Sequence, residues 1–325
     1  MPGRIHKKRL LSVSVLTLFL AFAATHLTYH LPELNKVTHI AAPFFAAMAF
    51  ISLVTFFLLG QAQRIIFGIF NTKVGRVESF SLAISNNFLN YLPAKAGLVA
   101  RGAYFRALHA MPVQRYVAAT AYGQLLYVTL AGFLGGGLGI LIYLQDAYPN
   151  SLWVITVALI ITGLSASVIL GFAPRASTWI RKTAIRNRLQ YFSTSLAPWR
   201  NFKPMAVYMA LIFVILNLMA TRLWLSFYLT DVRISAQEVL FLQTAAAASV
   251  AFSFLPGNLG LREGVIVGIG HVLGLPLDLT VTAAVLDRLS ALVVTFSLGP
   301  WLAHQLSRKM VRQQSTSPRG YDPKG

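Results

Sequence analysis

The chain contains no cysteine, which excludes disulfides, thiolate metal ligands and thiol nucleophiles, and leaves the redox state of its compartment unmarked. Charge is scarce as well. Only 11% of the 325 residues are Asp, Glu, Lys or Arg, less than half of the roughly 25% usual in soluble chains. Acidic residues are the scarcest, nine against 28 basic ones, for a formal net charge of +19. The basic residues stand in short blocks beside apolar runs with no aromatic-interleaved basic domain, so nucleic acid is not expected as a partner. What fills the chain is apolar: 56% of it is hydrophobic. Composition therefore predicts an all-α, polytopic membrane helix bundle.

Six runs, at about residues 10–30, 40–60, 116–143, 151–172, 205–229 and 279–304, are long enough to cross, since a ~30 Å hydrocarbon core needs about 20 residues of helix. Two shorter segments, 78–92 and 235–254, each run into a Pro/Gly break. Basic residues gather in four regions: Arg4 to Arg9, the stretch 61–115, the stretch 173–203 and the tail after 304. With six full spans all four fall on one side, which the positive-inside rule makes cytoplasmic together with both termini. Counting the short segments as full spans would turn the loop around Arg181, Lys182, Arg186 and Arg188 outward. They are therefore predicted to be re-entrant. "RIHKKR" followed by "LLSVSVLTLFL" and "AFA" also has the form of a signal peptide, but the apolar pattern continues past Ala23, and an uncleaved span is expected. The resulting division is an N-terminal cytoplasmic segment with the first span (1–39), a first repeat with a flanking span (40–172), a basic cytoplasmic loop (173–203), a second repeat (204–304) and a disordered cytoplasmic tail (305–325).

The repeats appear when the sequence is shifted by 163 positions: "FLNYLPAKAGLVARG" then lies beside "FSFLPGNLGLREG", and Gln124 meets Asp287. By the predicted topology the two copies are inverted, a recurring transporter plan in which broken helices meet near the midplane. The expected breaks are Pro93 and Gly97 in the first copy and Pro256, Gly257, Gly260 and Gly264 in the second. Pro lacks an N–H and Gly lowers helix stability. The freed backbone groups are tolerated at membrane depth only inside protein or against water, so the breaks predict a cavity.

After the second break, "GVIVGIGHVLGL" is too short to cross and fits a half-helix whose N-terminus aims N–H groups at the cavity. With Arg262 beside it this makes a candidate anion site. Asn258 lies in the same break. Asp287 and Arg288 stand in the last span, where ionised groups are expensive unless paired or wetted. Pairing of Arg262 with Asp287 and of Glu263 with Arg288 is expected. The matching polar set of the first copy is Asn86, Asn87, Asn90, Lys95 and Arg101. Arg222 in the fifth span is expected to snorkel to the outer surface. Gly132, Gly135, Gly136, Gly137 and Gly139 lie inside a span without a following Lys-Ser/Thr, which favours close helix packing over a phosphate loop. The histidines show no metal-ligand spacing, and neither a metal nor a cofactor is expected.

The pattern "LPGNLGLREG", then "GLP" and "AAVLDRL", preceded by "NNFLNYLPAKAGLVARG", resembles the lysylphosphatidylglycerol synthase transmembrane-region family of flippase-like integral membrane proteins. The likeness covers about residues 40–304. It implies lipid translocation across a bacterial cytoplasmic membrane, without the soluble aminoacyl-transferase domain of the two-part members. Two departures remove charge from the first copy. Leu98 stands where members often carry an acidic residue, and Gly123-Gln124 stand where they often carry an acidic-Arg pair. The expected partners are lipids with anionic headgroups, and a cell-envelope synthase is a further candidate. The leading expectation is a translocator of an anionic phospholipid or isoprenoid-linked lipid, bound by Arg262, the half-helix start and Arg101. The rival readings are a membrane-embedded lipid-modifying enzyme and an accessory subunit of an envelope synthase. No nucleophile, base and orienting partner form a catalytic set, so the chain is not expected to be an enzyme.

Overall fold

Hydrocarbon offers no partner for backbone N–H and C=O groups, and a helix satisfies them within one segment. The computed structural model describes residues 38–92, 96–145, 149–179, 202–249 and 260–316, together with Thr25. Among the described residues there are nine helices and no strand: α1 (Thr38–Ile69), α2 (Arg76–Asn90), α3 (Ala96–His109), α4 (Val113–Gln145), α5 (Asn150–Trp179), α6 (Phe202–Leu229), α7 (Ala236–Ala248), α8 (Leu261–Val272) and α9 (Leu277–Thr316). Of these, α1, α4, α5, α6 and α9 are long and apolar enough to cross a membrane. They account for five of the six expected spans. The sixth, residues 10–30, lies outside the described residues except for Thr25, and the stretch 180–201 of the basic loop lies outside them entirely.

The helices outrun their apolar cores. α1 continues through the polar Gln61-Ala62-Gln63-Arg64 to Ile69, and α9 continues to Thr316. Residues 305–316 are therefore helical where a disordered tail was expected, because Gln, Leu, Arg, Lys and Met are good helix formers and no breaker intervenes.

The four shorter helices, α2, α3, α7 and α8, have 15, 14, 13 and 12 residues. At 1.5 Å per residue they reach only about 20 Å, too little to cross. They form two hairpins of half-helices, as the breaks predict. In the first, Glu78 near the start of α2 accepts a 2.8 Å hydrogen bond from the Tyr104 hydroxyl and lies 2.8 Å from Nε2 of His109 at the end of α3. Both ends of that hairpin therefore sit at one face.

Three of the half-helices start with the same device, a glutamate in the third position returning its carboxylate to the backbone N–H of the cap residue. Glu78 accepts from Gly75 (3.1 Å), Glu238 from Ser235 (2.8 Å) and Glu263 from Gly260 (2.8 Å). Gly260 has φ +82°, a conformation that a side chain would strain.

The repeat begins earlier than the break motifs suggest. One unit is α1 to α4 and the other α6 to α9. Asn71 and Asp231, both at positive φ, occupy equivalent turns 160 residues apart (231 less 71). In each turn the next N–H returns to a carbonyl five residues back, Thr72 to Phe67 and Val232 to Phe227. The register then slips: α4 and α9 start just after Pro112 and Pro276, 164 apart (276 less 112). Asp287 consequently corresponds to Gly123, and not to Gln124 as the ungapped shift implies.

The units are inverted, as expected. α1 and α6 pack antiparallel. Phe44 near the start of α1 stacks on Tyr228 at the end of α6 (5.2 Å between centroids), and at the other end Tyr122 of α4 bridges Phe70, just after α1, and the Met205 sulfur of α6. The two hairpins therefore enter from opposite faces. Each is embraced by the other unit, with α2 against α9 and α7 against α4. Glycines permit the closest approaches. A Cβ on Gly132 would meet the Gly163 backbone of α5 at 2.7 Å, and one on Gly135 would meet the Thr244 hydroxyl of α7 at 2.8 Å. Gly132, Gly135, Gly136 and Gly139 thus pack helices, as read from the sequence, whereas Gly137 faces open space.

Two breaks are reassigned. Gly97 lies in the first turn of α3, where a Cβ would collide with the Asn86 carbonyl and the Asn90 side chain of α2. Its role is close contact rather than chain reversal. Gly264 lies inside α8 with open space around it. Pro93, Lys95, Pro256, Gly257 and Asn258 lie outside the described residues.

Gly97→Ala is expected to lower stability by about 1–3 kcal/mol through overpacking of the first hairpin, read as a lower midpoint of thermal unfolding in detergent. Burial pushes the Glu78 carboxyl up, but the His109 contact, the Gly75 N–H and the Tyr104 hydroxyl outweigh it and hold it below its ordinary 4.5. Its contribution to stability is therefore complete above that value and lost as pH falls through the lower folded pKa. Acid titration of the unfolding midpoint should show a smaller fall below pH 4.5 for Glu78→Gln than for the parent protein.

Candidate functional site

The intramembrane charges of the second unit converge on one carboxylate. Asp287 of α9 is fully buried. Arg222 of α6 grips it with both prongs of its fork, Nε to Oδ1 at 2.6 Å and Nη2 to Oδ2 at 3.1 Å. Arg262, in the first turn of α8, donates from Nη1 to the same Oδ2 at 2.6 Å. Further donors of both arginines are anchored too. Nη1 of Arg222 reaches the Ser52 hydroxyl of α1 (2.8 Å), and Nη2 of Arg262 reaches Oε1 of Gln243 on α7 (2.8 Å). Ser52 in turn donates to the Met48 carbonyl. Five helices thus meet through one ionic network.

A second pair lies beside it. Arg288 Nε stands 3.6 Å from Glu263 Oε1, beyond hydrogen-bonding distance, and its guanidinium lies over the Tyr91 ring at 5.5 Å. Tyr91 follows the last residue of α2, so the first unit contributes an aromatic wall to the charged site of the second. The two oxygens of Glu263 serve different ends. Oε2 caps α8 through Gly260, and Oε1 is the buried oxygen that faces Arg288 without a hydrogen bond.

The cross-pairing read from the sequence, Arg262 with Asp287 and Glu263 with Arg288, is present. Arg222 corrects an expectation. It is 4% exposed and clamps Asp287 rather than snorkelling outward. Three intramembrane arginines against two intramembrane acids was the available signal, since an ion that far from water calls for a partner. Its partner lies 65 residues away in the chain, which no local spacing rule could join. Gln243, Ser52 and Tyr91 gave no signal, because each is an ordinary residue of an apolar segment.

The remaining predicted residues that are described do not join the network. Asn87 donates to the Thr295 hydroxyl of α9 (2.9 Å), tying α2 to α9. The buried side-chain oxygens of Asn86 and Asn90 have no hydrogen-bond partner among the described residues. Arg101 shares no partner with Arg262. It donates instead to Gln63 of α1 and Tyr116 of α4. The counterpart of Asp287, Gly123, has its carbonyl occupied by the Tyr208 hydroxyl of α6 at 2.8 Å. A neutral tyrosine contact therefore fills the first unit's version of the ionic site.

Chemically, among the described residues the site of Arg222, Arg262, Arg288, Glu263 and Asp287 holds three cations against two anions, a net charge of +1. Held in low dielectric, such an excess favours an anion or water nearby, and the first turn of α8 adds its N-terminal dipole.

A comparison with protein families matches residues 8–299 to the family described as Lysylphosphatidylglycerol synthase TM region. The chain belongs to this family. Among curated proteins it is 32% identical over 78 residues to a UPF0104 membrane protein of Methanothermobacter thermautotrophicus. That match covers 24% of this chain and 22% of the other protein, so the chain spans under a quarter of the curated relative. No solved structure matches it. As a member of a transmembrane-region family with five crossing helices among its described residues, the protein is a multi-pass membrane protein.

Asp287→Asn would leave two buried guanidiniums facing each other without a counterion, and a loss of about 3–5 kcal/mol is expected. Arg222→Gln should be costly too. Thermal unfolding of both singles and the double should show strong coupling between positions 222 and 287; additive losses would contradict a shared ion pair.

Proposed function

We propose that this protein translocates an anionic lipid across a bacterial cytoplasmic membrane, with both termini cytoplasmic. The observation that carries the proposal is the buried site with a net charge of +1 at the start of half-helix α8, inside two inverted units whose hairpins enter from opposite faces. Transport of a polar headgroup through hydrocarbon needs a sequestered polar station reachable in turn from each leaflet. Hairpins inverted with respect to each other suit such alternation. The charge excess supplies affinity for a phosphate-bearing headgroup while the acyl or isoprenyl chains remain in the bilayer.

In this reading Arg262 is the principal headgroup ligand, because it stands at the half-helix start. Arg222 and Asp287 fix its position. Arg288, whose guanidinium lies 3.6 Å from Glu263 and over the Tyr91 ring, is the second ligand, since it brings a second guanidinium to the same half-helix start. The protein acts as a translocator rather than an enzyme, since these arginines and carboxylates bind and orient but form no nucleophile and base pair.

Purified protein in liposomes should accelerate the movement of a fluorescent anionic phospholipid between leaflets, measured by quenching from outside. Arg262→Gln should reduce that acceleration by an order of magnitude or more, and Arg262→Lys, which keeps the charge but loses the fork, should retain part of it. Equal rates in the parent protein and Arg262→Gln would overturn the assignment.

A further inference from the structure

Arg101 lies on α3, in the half-helix hairpin of the first unit, and is 8% exposed. Its Nε donates to the Tyr116 hydroxyl at 3.0 Å and its Nη1 to Gln63 Oε1 at 2.8 Å. The Tyr116 hydroxyl spends its own proton on the Leu98 carbonyl at 2.8 Å, which fixes its oxygen as the acceptor for Arg101. The guanidinium carbon stands 5.8 Å from the centre of the Phe67 ring and 5.6 Å from that of Tyr116. Two acceptors and two aromatic rings therefore hold the group in place.

A guanidinium has five N–H donors. Described residues take two of them, which leaves three on the Nη1 and Nη2 side. No carboxylate among the described residues forms an ion pair with Arg101. A buried cation fixed through Nε and one Nη1 proton, whose Nη2 protons and other Nη1 proton are taken by no described residue, is prepared for a two-pronged oxyanion.

The surroundings favour the same ligand. The face on which this hairpin opens carries Arg64, Lys73, Arg76, Arg106 and Arg115 around it, against Glu78 alone, and Glu78 is already engaged by His109 and Tyr104. The equivalent turns of the second unit carry Asp231, Glu238 and Asp278 against Arg233. Among the described residues only the first hairpin stands beneath a basic rim, which draws anions toward it.

We propose that Arg101 is the centre of a second oxyanion site, separate from the Arg262 site and specific for a phosphate group presented at the basic face, either on a lipid headgroup or as free phosphate. Gln63 and Tyr116 position the guanidinium, and the Nη edge takes two phosphate oxygens. This goes beyond the transport reading and does not depend on it, because it concerns binding in the first unit alone.

Native mass spectrometry of the full chain in detergent tests it, with phosphatidylglycerol as the probe and phosphatidylcholine as the neutral control. The parent protein should retain two anionic lipids, and Arg101→Gln and Arg262→Gln should retain one each. Arg101→Lys, which preserves the charge, should bind the second lipid at least tenfold more weakly, as should Gln63→Met, with an unfolding midpoint near that of the parent protein showing that each variant is folded. In parallel, inorganic phosphate is titrated against the unfolding midpoint. A rise in the parent that is lost in Arg101→Lys, with no Arg101-dependent lipid retained, assigns the site to free phosphate. Unchanged lipid retention together with an unchanged phosphate response in Arg101→Lys would overturn the proposal. Absence of leaflet exchange in the parent with Arg101-dependent binding intact would sink the transport reading and leave this one standing.

Discussion

The carboxylate of Asp287, shared by Arg222 and Arg262, is the contact on which the arrangement of the second unit rests. An isolated ion at that depth is untenable, and an ion pair in low dielectric holds only when its remaining donors and acceptors are also engaged. Here Ser52 and Gln243 take outer N–H groups of the two arginines. The consequence is that α1, α6, α7, α8 and α9 cannot shift independently. A hydrophobic contact could hold these helices equally tightly, but it would not fix the start of α8 at one place or leave a cation excess there.

The two units share one backbone plan and differ in what fills it. Each has a long helix, a turn with a residue at positive φ, two half-helices and a second long helix. Where the second unit places Asp287, the first has Gly123, with the Tyr208 hydroxyl on its carbonyl. Where the second has an interlocked ionic network, the first has one arginine held by neutral groups and aromatic faces. Symmetry of fold is thus combined with asymmetry of charge. Both hairpins provide half-helix ends at membrane depth, but among the described residues only one is fastened internally by salt bridges. The other is fastened at the surface, through Glu78, Tyr104 and His109.

Hairpins of half-helices have their own stability problem, since their short helices cannot rely on length for cooperativity. The glutamate in the third position of α2, α7 and α8 answers part of it by satisfying an N-terminal N–H. In α8 this has a functional side. Glu263 is committed through Oε2 to the cap, and its other oxygen approaches Arg288 without closing to hydrogen-bonding distance. Glu263 thus serves the cap and the ion pair with different oxygens.

Composition and pattern were enough to establish the membrane class, the five crossing helices within the described residues, the shortness of the segments 78–92 and 235–254, and the pairing of Arg262 and Glu263 with Asp287 and Arg288. These are legible because the cost of placing backbone groups and charges in hydrocarbon is large enough to dominate local preference. Folding in three dimensions was needed to turn Arg222 inward, to set Gly123 rather than Gln124 opposite Asp287, to make Gly97 a helix contact and to keep Arg101 apart from the ionic network. Each of these depends on which helices become neighbours across long stretches of chain or on small insertions between the units, as in the slip of offset from 160 to 164. A linear pattern records that a charge needs a partner; the packing of distant helices selects which one it meets.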